Sequence, residues 1–297
     1  MDNIAAHHAA TGQHYDQSGL DTSGYDYEAT RLDQHSPVER AITERYLQRY
    51  IPDGSIIADI GVGVGHYSEL LARRGCQIHL VDVAQRLLQT TAERLEVQGL
   101  GRFIVGVHHA SATDLSFLPD ACCDAVLLLG PLYHLGDPRE RHTAIAEAAR
   151  VLHVGGVVCA AGINRLAFFR DDFHKTPHGA ADRAAFYHGI MHDGNFPPRA
   201  EGVPSTFHMT TVAEFQEELS GMFTPLVLAG VESFASAFQE SFLHLSADDA
   251  HTWLDVIEQT GRTPEGLGYT DHYLYIGHRQ GRLYSSKDVD RLSVPID

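Results

Sequence analysis

The chain has 297 residues, of which 43% are hydrophobic and 21% are charged, a composition typical of a globular protein with one large domain. Its formal net charge of −17 at pH 7 argues against a nucleic-acid partner, because binding to phosphates requires clustered Lys and Arg and no basic run is present. The sequence shows neither a secretory leader nor an apolar run long enough to span a membrane, so we expect a cytoplasmic protein with no membrane partner.

The first part of the chain differs in composition from the rest. Residues 1–24 are rich in Gly, Ser, Asp, Gln and His, which predicts a mobile arm, or a lid that becomes ordered on binding. A single domain is expected over 25–297. Its first helix should begin at Pro37, with Ser36 as the N-cap, because apolar residues recur at helical spacing from there to Tyr50.

Apolar runs of strand length alternate with helical stretches over most of the remaining sequence. The expected strands are Ser55–Ile60, Gln77–Val83, Phe103–Val107, Asp124–Leu129, Val154–Ala161, Pro225–Gly230 and His272–Gly277. The expected helices are His66–Arg74, Gln85–Gln98, Pro138–Leu152, Val212–Leu219 and Ala247–Thr260. This alternation predicts the α/β class, with βαβ units that form a mostly parallel sheet covered by helices on both faces.

The alternation is interrupted after the fifth expected strand. The stretch 164–211 is an insertion whose length favours a functional role, and we predict that it forms a lid over a substrate. Its aromatic residues should wall an apolar acceptor pocket; they are Phe168, Phe169, Phe173, Phe186, Tyr187, Phe196 and Phe207. Two histidine pairs with i, i+4 spacing also occur there, but Pro177 interrupts the first and Gly189 weakens the second, so no metal site is predicted.

A glycine-rich turn and a later acid indicate the kind of cofactor. The turn has the sequence Asp59-Ile60-Gly61-Val62-Gly63-Val64-Gly65, and its glycines allow a sharp turn and let a ligand lie against bare backbone. Asp59 would repel a phosphate but accept a hydrogen bond from an amino group. Asp82 ends the next expected strand, where an acid accepts from both hydroxyls of a ribose. A cofactor with a ribose, an ammonium group and no phosphate therefore fits best, and a nicotinamide dinucleotide is disfavoured.

With these residues the sequence resembles the class I S-adenosylmethionine (SAM)-dependent methyltransferases, whose first motif is D-x-G-x-G-x-G and whose second strand ends in a ribose-binding acid. The resemblance extends over about residues 25–277. Two further motifs are typical of a bacterial subgroup: Gly130-Pro131-Leu132-Tyr133-His134-Leu135 and Val151-Leu152-His153-Val154-Gly155-Gly156. The resemblance implies a Rossmann-like, seven-stranded, mostly parallel sheet, SAM as the cofactor and S-adenosylhomocysteine as the product.

The resemblance also assigns roles to individual residues. The residues expected to bind the cofactor are Tyr27, Arg31, Asp59, Gly61, Gly63, Gly65, Asp82, Ser111, Ala112, Leu129 and Gly130. Many relatives contact adenine through the Asp of a G-D-A-x-x-L segment, and because Ser111 stands in that position here, a weaker acceptor is expected. Leu129 and the residues after it should line the methionine side. Tyr27 and Arg31 would close over the cofactor, with Arg31 paired to its carboxylate.

Catalysis requires mainly that the acceptor be aligned behind the methyl group and that water be excluded. An oxygen acceptor or a neutral amine also needs a base. Tyr133 and His134, beside the expected transfer path, and His208, at the end of the insertion, are the candidate catalytic residues. Each histidine also has a structural interpretation, as a hydrogen-bonded residue of the interior.

The sequence therefore predicts a SAM-dependent methyltransferase that acts on an O, N or C atom of a small, partly apolar metabolite, as a monomer or homodimer. Two alternatives use the same cofactor site: an enzyme that cyclises or cleaves SAM, and a non-catalytic SAM-binding regulator. They stay open because a fold does not determine its chemistry.

Overall fold

A computed structural model describes residues 11–12, 30–196 and 207–281. The arm expected over 1–24 lies outside this part of the chain except for Thr11 and Gly12, and so does Tyr27. Of the helices in the described ranges, none is long and apolar enough to cross a membrane.

The described strands form one seven-stranded sheet. They are β1 (Ile56–Ile60), β2 (Gln77–Asp82), β3 (Ile104–His109), β4 (Cys123–Leu128), β5 (Leu152–Ile163), β6 (Phe223–Gly230) and β7 (His272–Arg279). Their order is β3-β2-β1-β4-β5-β7-β6. The first five strands pair in parallel, while β7 runs antiparallel to both β5 and β6. The predicted Rossmann-like, mostly parallel sheet is confirmed.

Helices cover both faces of the sheet. They are α1 (Pro37–Tyr50), α2 (His66–Arg73), α3 (Gln85–Val97), α4 (Pro138–Val151), α5 (Arg165–Lys175), α6 (Ala184–Asp193), α7 (Val212–Ser220), α8 (Ala247–Thr260) and α9 (Pro264–Tyr269). Side chains of α1, α2, α3 and α8 contribute to the hydrophobic core on one face, and those of α4 and α7 to the core on the other. Each of these six helices therefore buries an apolar stripe against the sheet.

Strand β1 shows how the apolar runs produce this architecture. Ile57 enters one core, while Ala58 and Ile60 enter the other. A strand buried on both faces has a continuous apolar run, as in the parallel sheets of α/β proteins. Because β2 and β4 flank β1 on opposite sides, the carboxyl end of β1 lies where the strand order reverses, which is where open α/β sheets bind ligands.

Several elements differ from the expectations. The insertion contains two helices, α5 and α6, and the Oδ1 atom of Asn164 caps α5 by accepting from the Leu166 N–H at 3.0 Å. A 3-10 segment, Ser233–His244, and helix α9 were not predicted either. Ser36 precedes α1 as expected, but its side chain makes no capping hydrogen bond.

Candidate cofactor site

A cavity of about 1130 Å³, counted with the part that opens to solvent, lies at the carboxyl ends of β1, β2 and β4. Most of the residues predicted to bind the cofactor line it, together with two of the three catalytic candidates. These residues are Arg31, Asp59, Gly61, Gly63, Asp82, Ser111, Ala112, Leu129, Gly130, Tyr133 and His134. Thr11, Leu32, His66 and Tyr67 also line the cavity, although the sequence patterns did not indicate them.

The three glycines after β1 have positive φ angles of 76°, 53° and 73°, which favour glycine at each position, but their surroundings differ. A Cβ on Gly61 would lie 2.8 Å from the ring of Pro131, and one on Gly65 would lie 2.4 Å from the Thr91 side chain of α3. A Cβ on Gly63 would have no neighbour within 4 Å. Gly61 and Gly65 thus permit close packing, whereas Gly63, which lines the cavity, leaves space for a ligand to approach the backbone.

Asp82 fixes the glycine turn to the end of β2. Its Oδ2 atom accepts from the Gly63 N–H at 2.9 Å and its Oδ1 atom accepts from the Ala84 N–H at 2.8 Å. The residue is 7% exposed and lines the cavity. A carboxylate has about four lone-pair sites, so these two bonds leave it able to accept from a ligand as well.

Asp59 places a second carboxyl group in the wall of the cavity. It is 5% exposed, and its Oδ2 atom accepts from the Ser68 hydroxyl at 2.6 Å. Burial raises the pKa of the Asp59 carboxyl to about 6; the hydrogen bond from Ser68 opposes this rise, and the negative charge of Asp82 adds to it. A cationic group bound in the cavity would stabilise the ionised form of Asp59.

Ser111 lies on the β3 side of the cavity. Its hydroxyl is within 3.0 Å of the Thr113 hydroxyl and accepts from the Thr113 N–H at 3.2 Å. The preceding residue, Ala110, donates its N–H to the Asp82 carbonyl at 3.0 Å. Ser111 is thereby held close to the end of β2.

Arg31 lies at the mouth of the cavity, in a single π turn that spans Arg31–His35. Its Nη1 and Nη2 atoms donate to the two carboxylate oxygens of Glu39 at 2.9 and 3.3 Å. Glu39 was not predicted, although a signal was present: it shares the helix face of Ile42 and Tyr46, so it is a charged residue within an apolar stripe.

A 3-10 turn, Pro131–His134, brings Tyr133 and His134 to the cavity. The Tyr133 hydroxyl donates to the Leu129 carbonyl at 3.0 Å. The His134 ring packs edge-on against the Tyr133 ring at 4.8 Å and against the Phe207 ring at 5.6 Å. The aromatic face at this end of the cavity is thus continuous with the end of the insertion.

The rings of the insertion form a cluster that begins at Phe207. Phe196 lies 6.0 Å from Phe207, and Phe168 and Phe186 lie 5.0 and 5.8 Å from Phe196. Phe173 is different, because it is 78% exposed. The cluster therefore connects the insertion to the turn that carries Tyr133 and His134.

His208 lies beside the turn that carries Tyr133. It is not among the described residues that line the cavity; its N–H donates to the Tyr133 carbonyl at 2.8 Å, and its Nδ1 atom is 2.9 Å from the Asn195 Oδ1 atom. Burial lowers the pKa of His208 to about 3, and the positive charges of Arg141 and Arg165 act in the same direction. Such an imidazole is a weak base at neutral pH, so the surroundings favour a structural role.

Within the described ranges, one group of metal-ligating side chains comes together, Glu39, Glu232 and His272. The histidine pairs of the insertion do not belong to it. Two cationic side chains already contact the carboxylates of this group: Arg31 lies 2.9 Å from Glu39, and His272 lies 2.6 Å from Glu232. Ion pairing therefore accounts for the group.

The fold and the cavity define a class of protein. Acids at the ends of β1 and β2, an open approach at Gly63 and a position at the reversal of strand order are features of a Rossmann-like site for a ribose-containing cofactor. Residues 58–160 match the family model of the methyltransferase domain. This part of the chain is thus a methyltransferase domain, and solved structures that share the fold contain SAM or S-adenosylhomocysteine.

Curated relatives are similar over the central part of the chain. The ubiquinone biosynthesis O-methyltransferase of Maricaulis maris is 34% identical over 113 residues, which cover 38% of this chain and 42% of that protein. The chain spans about half the length of the curated relatives it matches.

Solved structures share the fold. The 1,6-didemethyltoxoflavin-N1-methyltransferase of Burkholderia thailandensis, crystallised with 1,6-didemethyltoxoflavin and S-adenosylhomocysteine, superposes with a TM-score of 0.53 at 15% identity over 89% of this chain and 88% of that chain. The [4+2]-cyclase SpnF superposes with a TM-score of 0.51 at 17% identity over 82% of this chain and 81% of that chain. The fold is therefore shared by a transferase and a cyclase, and similarity at this level does not select between their chemistries.

Proposed function

We propose that the protein transfers the methyl group of SAM to a small, partly apolar metabolite, with an oxygen atom as the first acceptor to test. The observation that carries this proposal is the cavity in the methyltransferase domain, where Asp59 and Asp82 flank the open approach at Gly63. Curated relatives that match the chain, such as the protein of Maricaulis maris, are O-methyltransferases, which favours oxygen over nitrogen or carbon.

Each part of the cofactor has a suitable partner in the cavity wall. Asp82 would accept from the ribose hydroxyls and Asp59 from the ammonium group, because both carboxylates line the cavity. Arg31 would bind the amino-acid carboxylate. Ser111, with the adjacent backbone of Ala112, would contact the adenine.

The acceptor would bind at the aromatic end of the cavity. Tyr133 and His134, within the Gly130-Pro131-Leu132-Tyr133-His134-Leu135 segment, line this end, and Phe207 packs against both rings. We assign the insertion, 164–211, as the lid over the acceptor. Aromatic walls bind flat, apolar groups and exclude water, so a partly apolar acceptor is favoured.

His134 would act as the base for a hydroxyl acceptor. SAM, when bound, supplies a methyl group on a positively charged sulfur. The chain must then align the acceptor oxygen and remove its proton. His134 is the candidate because it lines the cavity, whereas His208 does not. Tyr133, whose hydroxyl donates a hydrogen bond to the Leu129 carbonyl, would form part of the cavity wall.

Replacing His134 should separate catalysis from cofactor binding. We expect His134→Gln to lower kcat with a hydroxyl acceptor by a factor on the order of 100, the usual contribution of a general base, and to leave the affinity for S-adenosylhomocysteine unchanged. His153→Gln is the control, because His153 lies at the amino end of β5, away from the cavity, where its Nε2 atom is 3.0 Å from Asp124. An unchanged kcat in His134→Gln would exclude His134 as the base.

One incubation distinguishes the proposed reaction from its alternatives. The protein is mixed with SAM carrying a radioactive methyl group, alone and with a panel of phenols, catechols and heteroaromatic amines. Methyl transfer to an acceptor supports the proposal. Loss of SAM without an acceptor supports cyclisation or cleavage of the cofactor, because a fold does not determine its chemistry. Binding without any turnover over the whole panel favours the regulator.

A further inference from the structure

A largely buried row of charges extends from the mouth of the cavity into the protein. It consists of Arg31, Glu39 of α1, His272 at the start of β7 and Glu232 just after β6. Because β7 is antiparallel to its neighbours, His272 pairs with Ile163 at the carboxyl end of β5, at the same edge of the sheet as the cavity. Glu232 is 0% exposed.

Positive and negative groups alternate along this row. Arg31 donates two hydrogen bonds to Glu39, the Oε2 atom of Glu39 is 3.7 Å from the Nδ1 atom of His272, and that Nδ1 atom is 2.6 Å from the Oε1 atom of Glu232. Burial lowers the pKa of His272, but the charges of Glu39 and Glu232 more than offset this and raise it to about 9. His272 is therefore a cation between two carboxylates at neutral pH.

The far end of the row is firmly anchored. The Oε2 atom of Glu232 accepts from the Thr270 hydroxyl at 2.6 Å, from the His272 N–H at 2.9 Å and from the Asp271 N–H at 3.1 Å. These bonds fix Glu232 to the loop before β7. His272 is thus held by Glu232 on one side and attracts Glu39 on the other.

Stability alone does not account for such a row, because buried ion pairs contribute little net stability compared with apolar side chains. The row has one end at the cavity, and that end is a guanidinium group, whose planar fork binds carboxylates in a defined orientation. A charge row that ends in such a group is suited to holding it in one place.

We propose that His272 and Glu232 are positioning residues for recognition of the cofactor's amino-acid carboxylate: together they hold Glu39, and Glu39 holds Arg31 at the mouth of the cavity. The inference rests on the proposed function, since it requires that the cavity bind SAM. Neither His272 nor Glu232 is among the residues that line the cavity, so both act through Glu39 and Arg31.

The test compares two nucleosides that differ in the amino-acid part. S-adenosylhomocysteine carries the carboxylate, and 5′-methylthioadenosine lacks the whole amino-acid end. We expect His272→Gln to lower the affinity for S-adenosylhomocysteine about tenfold, as is usual for coupled charges. The affinity for 5′-methylthioadenosine should change by no more than about twofold. Adding Arg31→Gln to His272→Gln should cause less further loss than Arg31→Gln causes in the wild-type protein, because the two residues act on the same contact.

An equal loss of affinity for both nucleosides would overturn the inference. So would fully additive losses of binding free energy in the double variant. Glu39→Gln is the second variant, for use if thermal melting shows that His272→Gln is unfolded. His153→Gln, at the amino end of β5, is the matched control away from the cavity. If the wild-type protein binds 5′-methylthioadenosine but not S-adenosylhomocysteine, or binds neither, the proposed function itself fails. If both nucleosides bind and the variants leave the ratio of their affinities unchanged, only the positioning role fails.

Discussion

Asp59→Asn should make the protein more stable and nearly unable to bind its cofactor. The Asp59 carboxyl is buried and its pKa is raised from 3.8 to about 6, so its ionised form destabilises the folded state at neutral pH. Removing that charge should increase the free energy of unfolding at pH 7.5 by roughly 3 kcal/mol. The affinity for S-adenosylhomocysteine should fall on the order of 100-fold, because a buried, charged partner of the ammonium group is lost.

The stability difference between the wild-type protein and Asp59→Asn should depend on pH. Below pH 3.8, the ordinary pKa of an aspartate side chain, Asp59 is protonated in both the folded and the unfolded chain, so the wild-type protein and Asp59→Asn should be equally stable. The wild-type protein should lose stability relative to the variant as the pH rises from there to about 6 and remain below it at higher pH. Denaturant titrations at several pH values measure this difference. Asp114→Asn, which replaces an exposed carboxyl group, is the control and should not stabilise the protein. If Asp59→Asn is less stable than the wild-type protein, the prediction is wrong.

Gly63→Ala should weaken cofactor binding more than its effect on folding explains. The missing Cβ of Gly63 faces open space at the cavity, and a methyl group there would occupy the volume assigned to the cofactor. We expect an affinity loss of about tenfold or more, from the crowding of one methyl group. Both the strain of a positive φ and the crowding should contribute, so a control with the same strain is needed.

Gly75→Ala provides that control. Gly75 also has a positive φ, 80°, and a Cβ there would likewise meet nothing within 4 Å, but it does not line the cavity. Both variants should lose about 1 kcal/mol of stability, the cost of a left-handed conformation for alanine. Calorimetric titration with S-adenosylhomocysteine should show a loss of affinity in Gly63→Ala alone. Equal affinities would mean that the cofactor does not lie against Gly63.

The core of the fold was predictable because its elements carry regular apolar patterns. Strand β1, for example, is a continuous apolar run that is buried on both faces, and helix α3 buries Leu87, Leu88, Thr91 and Leu95 at helical spacing. Helices α5 and α6 have no such pattern: α5 buries Arg165 and Ala167, and α6 buries Ile190. A helix that rests on the surface through so few residues gives no periodic signal, which is why the insertion was expected only as a lid.

The candidate site was predictable where it depends on the ends of neighbouring strands. Asp59 and Asp82 lie at the carboxyl ends of β1 and β2, which pair directly, so topology brings them to one cavity. Glu39, Glu232 and His272 meet only through the tertiary fold, and no spacing in the sequence relates them. His208 shows the converse limit, because its burial and its contact with Asn195 are properties of the folded chain.

Titration of the purified wild-type protein with S-adenosylhomocysteine in a calorimeter measures whether the cavity binds the proposed cofactor. We expect one site per chain with an affinity on the order of micromolar, the range of ordinary enzyme ligands. We also expect a large loss of that affinity in Asp82→Asn, whose side chain has one acceptor oxygen in place of two and no negative charge. No saturable binding by the folded wild-type protein, or an equal affinity in Asp82→Asn, would contradict this expectation.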